Sequence, residues 1–143
     1  LFSSSVIDPS TIQAFLGTDY RVHGDTPMTL NVGVASPTLA DLHKASRVTT
    51  SAFITACNPF SQALDEAANI QRQVALASEL KSRGLTFIEG IGQHPTNKEW
   101  RGEPSFLVLN LSLEAAKALG ARHEQNAIIW CGADAVPQLI LLR

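Results

Sequence analysis

The sequence predicts an α/β (mixed α+β) fold: one domain built on a mixed sheet of about six or seven strands with three or four helices, in the order αββαβαββαββ. Three observations carry this expectation. Short apolar runs bounded by Gly, Pro, Asn and Ser alternate with segments of helical spacing. Several of those helical segments open on a capping residue and close on a glycine. No linker long enough to divide the 143 residues interrupts the pattern, and no internal repeat appears.

Asp8-Pro9 opens the first helix, since an Asp side chain caps orphan amides and Pro at the first helical position forfeits no hydrogen bond. Gly17 stops it after Phe15-Leu16, and residues 1–7 ahead of it are expected to be poorly ordered. Tyr20 to His23 and Met28 to Val34 are extended runs joined by Gly24-Asp25-Thr26-Pro27, the composition of a hairpin turn. Ser36-Pro37 repeats the cap-plus-Pro signal, and Leu39, Leu42 and Ala45 follow at helical spacing. Ala52 to Cys57 reads as a buried central strand ended by Asn58-Pro59.

Ser61 to Arg83 carries the strongest helical signal, with Ala63, Ala67, Ile70, Val74, Ala77 and Leu80 in one stripe. Asp65 and Glu66 near its start, Lys81 and Arg83 near its end, and Gly84 beyond it suit the macrodipole and the left-handed cap. Asn69, Arg72 and Gln73 on this helix read as a solvated polar face. Strands are expected over Leu85 to Gly92 and Ser105 to Asn110, around the polar stretch His94 to Pro104. Ser112 caps a helix over Leu113 to Leu119, stopped by Gly120. Asn126 to Cys131 and Val136 to Leu142 are the last two strands.

Composition excludes several classes. A chain that is 45% hydrophobic and 17% charged, at this length, buries about two-thirds of its unfolded surface and needs neither disulfide nor metal to fold. No run approaches the roughly 18 apolar residues of a membrane span, so no membrane partner is expected. With a net charge of −2 and basic residues interleaved with acids, no nucleic acid partner is expected either. The first residues show no basic n-region or apolar h-region, so no secretory signal is expected. Cys57 and Cys131, the two cysteines, read as buried reduced thiols in a cytoplasmic protein.

Familiar catalytic templates are missing. Gly90-Ile91-Gly92 begins like a dinucleotide fingerprint, but Pro95 stands where the third glycine belongs and no helix starts there. It reads as a flexible strand end, and no cofactor is expected. The four histidines, His23, His43, His94 and His123, are isolated, so no metal site is expected. Cys57 becomes a nucleophile only beside a base such as His94; its apolar strand favours packing.

The polar loop after Gly92 holds the richest chemistry. Trp100 among charged residues offers a flat apolar face with one donor, for a ligand or for the edge of the core. Glu103 and Ser105 alternate onto one strand face, presenting an acid beside a hydroxyl, or a carboxylate that fastens its own loop. Glu89 shares its face with Phe87 and Ile91, where an unpaired buried carboxylate is costly; general acid–base work, an Arg partner or an edge facing solvent all account for it. Strand rise separates it from Glu103 by about 10 Å, which disfavours a carboxylate dyad. Asn58 sits at a strand end before the long helix, placed to cap that helix or to meet a ligand.

Three segments, Thr55-Ala56-Cys57-Asn58-Pro59, Trp100-Arg101-Gly102-Glu103-Pro104-Ser105-Phe106 and Gln125-Asn126-Ala127-Ile128-Ile129-Trp130, resemble in order and spacing the recurring blocks of an uncharacterised bacterial family, domain of unknown function 3293. The resemblance covers roughly residues 10 to 142. It implies a small bacterial cytoplasmic protein and brings no activity with it. Cys57 stands where the family pattern suggests an aromatic residue. The polar or amphipathic members of the blocks, Asn58, Trp100, Glu103, Ser105 and Gln125, become candidate binding residues, provided the three segments meet at one pocket.

Whether the chain is an enzyme stays open. One reading is a ligand- or partner-binding or regulatory domain that takes a small molecule or protein through those five residues. A second is a small hydrolase or transferase with Glu89 or Glu103 as general base and Ser105 or His94 assisting. A third is a structural homo-oligomer paired through the apolar strand Val136 to Leu142.

Overall fold

The computed structural model describes residues 5–97 and 102–143, and in them the expected element order is found intact. Four helices, α1 (Pro9–Leu16), α2 (Pro37–Ala45), α3 (Glu66–Ser82) and α4 (Leu113–Arg122), join seven strands into a single α+β domain. The strands are β1 (Asp19–Val22), β2 (Met28–Leu30), β3 (Ser51–Ile54), β4 (Phe87–Gln93), β5 (Glu103–Leu109), β6 (Ala127–Cys131) and β7 (Pro137–Leu141). The caps act as read: Asp8, Ser36 and Ser112 each accept a hydrogen bond from a backbone amide in the first turn of their helices. Of the segment ahead of α1 expected to be poorly ordered, residues 1–4 lie outside the described residues, and residues 5–7 make contacts with the rest of the domain. Ile7 is buried, and the Ser5 hydroxyl donates to the Arg143 carbonyl at 2.8 Å.

The seven strands form one sheet in the order β2-β1-β4-β5-β3-β6-β7. Every pairing is antiparallel, where a mixed sheet was expected. The crossovers explain this. β3 and β4 run the same way through α3, and β5 and β6 through α4, but each crossover skips one position that an antiparallel strand then fills. No two parallel strands therefore touch, as in a split β-α-β arrangement. The hairpin β1-β2 extends this core at one edge and β7 at the other.

The sheet curls into a half-barrel. Its opposite edges approach at one end, where the Gly33 amide donates to the Pro137 carbonyl at 2.9 Å and Ser36 to Ala135 at 3.0 Å. Both faces carry a core. On one, Ala52, Ile54, Val108 and Ile128 pack against Leu76 and Leu80 of α3 and Ala116 and Leu119 of α4. On the other, inside the curl, Val22, Leu30, Phe53, Leu107 and Ile129 pack with Leu39 of α2. Burial on both faces is why β3 is apolar without alternation.

Several local expectations are corrected. α3 starts at Glu66, capped by Asp65, five residues after Ser61. Only the end of its expected stripe faces the core: Leu80 is buried there with Leu76, and Ala77 packs beside them, while Ile70 and Val74 are 55% and 61% exposed. α4 runs through Gly120, because a Cβ there would meet Ile128 and Leu142 at 2.7 Å, so glycine allows the helix to lie close on β6. β7 is an edge strand as its apolar run suggested. Leu139 and Ile140, with Leu142 beyond, nevertheless pack into the chain's own two cores. Among the described residues no helix is long and apolar enough to cross a membrane.

α3 and α4 are also clamped electrostatically. The Glu79 carboxylate accepts from Arg122, from His123 Nε2 at 3.0 Å and from Arg83 at 3.4 Å. The Arg122 hydrogen bond leads in holding its carboxyl below the ordinary carboxylate value, against a smaller effect of burial. A carboxyl depressed in the folded state stabilises fully above its unfolded value and loses that contribution as the pH falls through the folded one. Glu79→Gln is expected to cost about 1 kcal/mol near neutral pH and to flatten the acid limb of the stability profile, read by urea unfolding across the acid range.

Candidate functional site

β5, β3 and β6 are neighbours, and their register brings the C-terminal end of β3 beside the N-terminal ends of the other two. The Thr55-to-Pro59 and Gln125-to-Trp130 segments, and the described part of the Trp100-to-Phe106 segment, therefore meet at one end of the sheet. There, between the inner face of the curl and α1, lies a cavity of ≈ 450 Å³. Asn58, Glu103, Ser105 and Gln125 all line it. Trp100, the fifth candidate, lies outside the described residues.

Tyr20 and Phe53, their rings edge to face at 5.3 Å, line it together with Phe15 of α1. Residue 92, directly across from Glu103 in the β4–β5 register, is glycine. A Cβ there would reach only ordinary contact with Thr18 and Tyr20, at 3.7 to 4.0 Å, so the missing side chain leaves room beside the carboxylate. Gly90, one pleat further in, has a different reason to be glycine: the Phe53 ring and the Arg21 carbonyl occupy the space of its Cβ. Gly90-Ile91-Gly92 is thus a strand interior paired on both sides, not a flexible strand end.

Glu103 is half-buried, and burial raises its carboxyl above the ordinary value, opposed by one hydrogen bond. That bond comes from Asn58 Nδ2 to Oε2 at 2.8 Å. Among the described residues nothing donates to Oε1 and no cation pairs with the group. Ser105 lies on the same face, as the alternation predicted, but its hydroxyl donates to the backbone carbonyl of Glu103 at 3.0 Å rather than to the carboxylate. Three more of the lining hydroxyls are committed likewise: Tyr20 to Phe15, Thr18 to Ala14 and Thr55 to Pro104, at 2.6, 2.6 and 2.7 Å. Burial also leads in raising the Tyr20 hydroxyl's pKa, with a smaller push from the Glu103 charge.

Asn58 is not the cap of α3. It adopts a left-handed conformation (φ 49°), as do Phe60 and Ser61 (φ 52° and 62°), an unfavourable run for residues other than glycine. Side chains hold this turn in place. Asn69 accepts from the Asn58 amide at 2.9 Å and donates to its Oδ1 at 2.8 Å. Gln73 accepts from the Ala56 amide at 2.9 Å, and Arg72 donates to the Ala56 carbonyl at 2.6 Å. Gln125 donates to the Cys57 carbonyl at 3.1 Å, and Asn126 to the Ser61 hydroxyl at 2.8 Å. Asn69, Arg72 and Gln73, read as a solvated face, are the inward face of α3. They share it with Leu76 and Leu80 at spacings of three and four, which is the signal that could have revealed them.

Glu89 is exposed on the other face of the sheet. With Cys57 and Phe106 it borders a second space of ≈ 780 Å³ between α3 and the β4–β5 pair, and Asn58 and Glu103 form the partition between the two. Glu89 and Glu103 therefore form no dyad. Cys57 is buried, and burial raises its thiol, so the geometry favours packing over reactivity. His94 Nδ1 accepts from the amides of Asn97 and Thr96 at 2.8 and 3.1 Å, closing its own turn. Sequence reasoning missed Phe15, Thr18, Tyr20 and Phe53, whose patterns read only as core or strand. Among the described residues no group of three potential metal ligands occurs.

Fold and site together define a small α+β domain with a polar-lipped cavity in the mouth of a half-barrel. The chain belongs to the family described as protein of unknown function (DUF3293), whose family model matches residues 54–128, from the last residue of β3 to the second of β6. No curated protein and no solved structure matches it.

Two stability outcomes follow. Asn69→Ala is expected to cost about 2–3 kcal/mol, because it strips partners from the Asn58 amide and side chain, whereas Val74→Ala stays within about 0.5 kcal/mol; chemical denaturation compares them. A carboxyl raised in the folded state weakens the fold as the pH climbs through that raised value. Glu103→Gln, which still accepts from Asn58, is therefore expected to make the ligand-free protein more stable at neutral pH and to remove that decline. A variant no more stable than the parent would contradict it.

Proposed function

We propose that this domain is a binding or regulatory module that takes a small molecule in the cavity between α1 and the inner face of the sheet. One observation carries the reading. Four of the five residues selected from the sequence, drawn from three distant segments, line a single space of ≈ 450 Å³ at strand ends. A glycine opposite the carboxylate leaves that space open. The strained turn beside it fits the same view, since left-handed residues held by surrounding bonds cluster where proteins bind ligands.

A hydrolase or transferase finds less support. Ser105, Thr55, Thr18 and Tyr20 each donate to a backbone carbonyl, and none meets a base. An activated nucleophile needs such a partner within hydrogen-bond reach. The bacterial, cytoplasmic setting rests on the family resemblance and on the two buried free thiols. Nucleic acid has no part in this reading, because none of the cavity's described lining residues is basic.

The test is fragment screening by amide chemical-shift mapping on the full chain. Hits are expected to converge on Thr18, Gly92, Ser105 and Gln125. Convergence instead on Ile70 and Val74 of α3 would move the ligand to the second space, which they line, and no convergence would remove the reading.

A further inference from the structure

The chemistry of the lining narrows what the cavity takes. Its polar groups are mostly spent on the protein itself. Asn58 uses Nδ2 on Glu103 and Oδ1 on Leu64 and Asn69, and Gln125 uses Nε2 on two carbonyls. Asn126 is held between Ser61 and Arg143. The hydroxyls of Thr18, Tyr20, Thr55 and Ser105 donate to backbone carbonyls, and that of Ser10 to Asp8. The charged atom that stands open is Glu103 Oε1, on a residue directly across from the vacant side-chain position of Gly92.

A carboxylate drawn partly out of water ordinarily has a cationic partner or several donors, since its desolvation is otherwise costly. Glu103 has one amide. Two guanidiniums bond nearby, Arg72 to the Ala56 carbonyl and Arg143 to Oδ1 of the lining residue Asn126, but neither lines the cavity or bonds Glu103. Arg143 is further engaged over the Phe60 ring at 4.2 Å. The described lining contains no Lys, Arg or His. It thus holds one ionisable acid with no counter-charge, and the faces of Phe15, Tyr20 and Phe53 are electron-rich surfaces of the kind cations favour.

We propose that the cavity binds an organic cation, a protonated amine, amidinium or guanidinium on a small apolar or aromatic body, with its charged head on Glu103 Oε1 and its body against Phe15, Tyr20 and Phe53. The inference rests on the reading of this cavity as a ligand site. Asn58 serves as a positioning residue, holding Oε2 so that the second oxygen faces the cavity. The ligand supplies the counter-charge that the fold withholds, so binding and ionisation of Glu103 favour each other.

Benzamidine, benzamide and benzoate share a ring and differ in charge, which makes them a matched set of probes. Each is titrated into the full chain and followed at the Thr18, Gly92, Ser105 and Gln125 amides. Benzamidine is expected to bind at least about tenfold more tightly than benzamide, the worth of a charge-assisted hydrogen bond, and benzoate to leave these signals unmoved. This comparison needs no variant. Glu103→Gln is then expected to erase the preference for benzamidine. Gly92→Val, which fills the space while keeping the carboxylate, is expected to weaken benzamidine and benzamide alike. Equal binding of benzamidine and benzamide, or tighter binding of benzoate, would overturn the cation inference and leave the ligand site standing. Silence of all three probes would overturn both.

Discussion

The paired carboxamides of Asn58 and Asn69 are the contact on which the site end of the domain depends. Asn58 presents a left-handed backbone directly before proline, and Phe60 and Ser61 follow in the same region. Such residues cost on the order of 1–2 kcal/mol each, so the turn persists only where its surroundings determine it. Asn69 satisfies both the amide and the side chain of Asn58, and leaves Asn58 Nδ2 to reach Glu103. α3, the turn and the first residue of β5 are thereby joined through one side chain. Hydrogen bonds worth about 1 kcal/mol apiece, from Gln73, Arg72, Gln125 and Asn126, offset the strain.

The sheet topology supplies the place for this turn. Because each crossover skips a strand position, β5 and β6 flank β3 and begin where β3 ends. Three chain segments far apart in sequence are brought to one rim of the half-barrel. The two edges of the curl are joined by the loop after β2, which bonds to the chain entering β7. The rim where these segments meet holds the cavity, with a glycine across from Glu103.

Local signals were legible where a single side chain meets its own backbone. Asp8, Ser36 and Ser112 cap the helices they were read to cap, and the strand runs stand in the expected order. The face of α3 was misread because hydrophobic periodicity counts apolar residues. Ile70 and Val74 satisfy that pattern yet point outward, while Asn69, Arg72 and Gln73 point inward, to a turn whose peptide groups need partners. Burial there follows hydrogen-bond demand, which no periodicity records. The family blocks named four lining residues correctly as neighbours, but the adjacency of β5, β3 and β6 is a long-range property. The lining residues Tyr20 and Phe53 joined the site through it, and strand direction was misjudged for the same reason.

Native-state hydrogen exchange at the Ala56, Asn58 and Phe60 amides tests the central claim most directly. These amides belong to neither helix nor sheet ladder, and their acceptors are Gln73, Asn69 and the Glu124 carbonyl. If the side-chain network locks the turn, they exchange as slowly as the β3 amides, through near-global opening. Exchange on the fast scale of surface loops, with β3 still protected, would contradict the account.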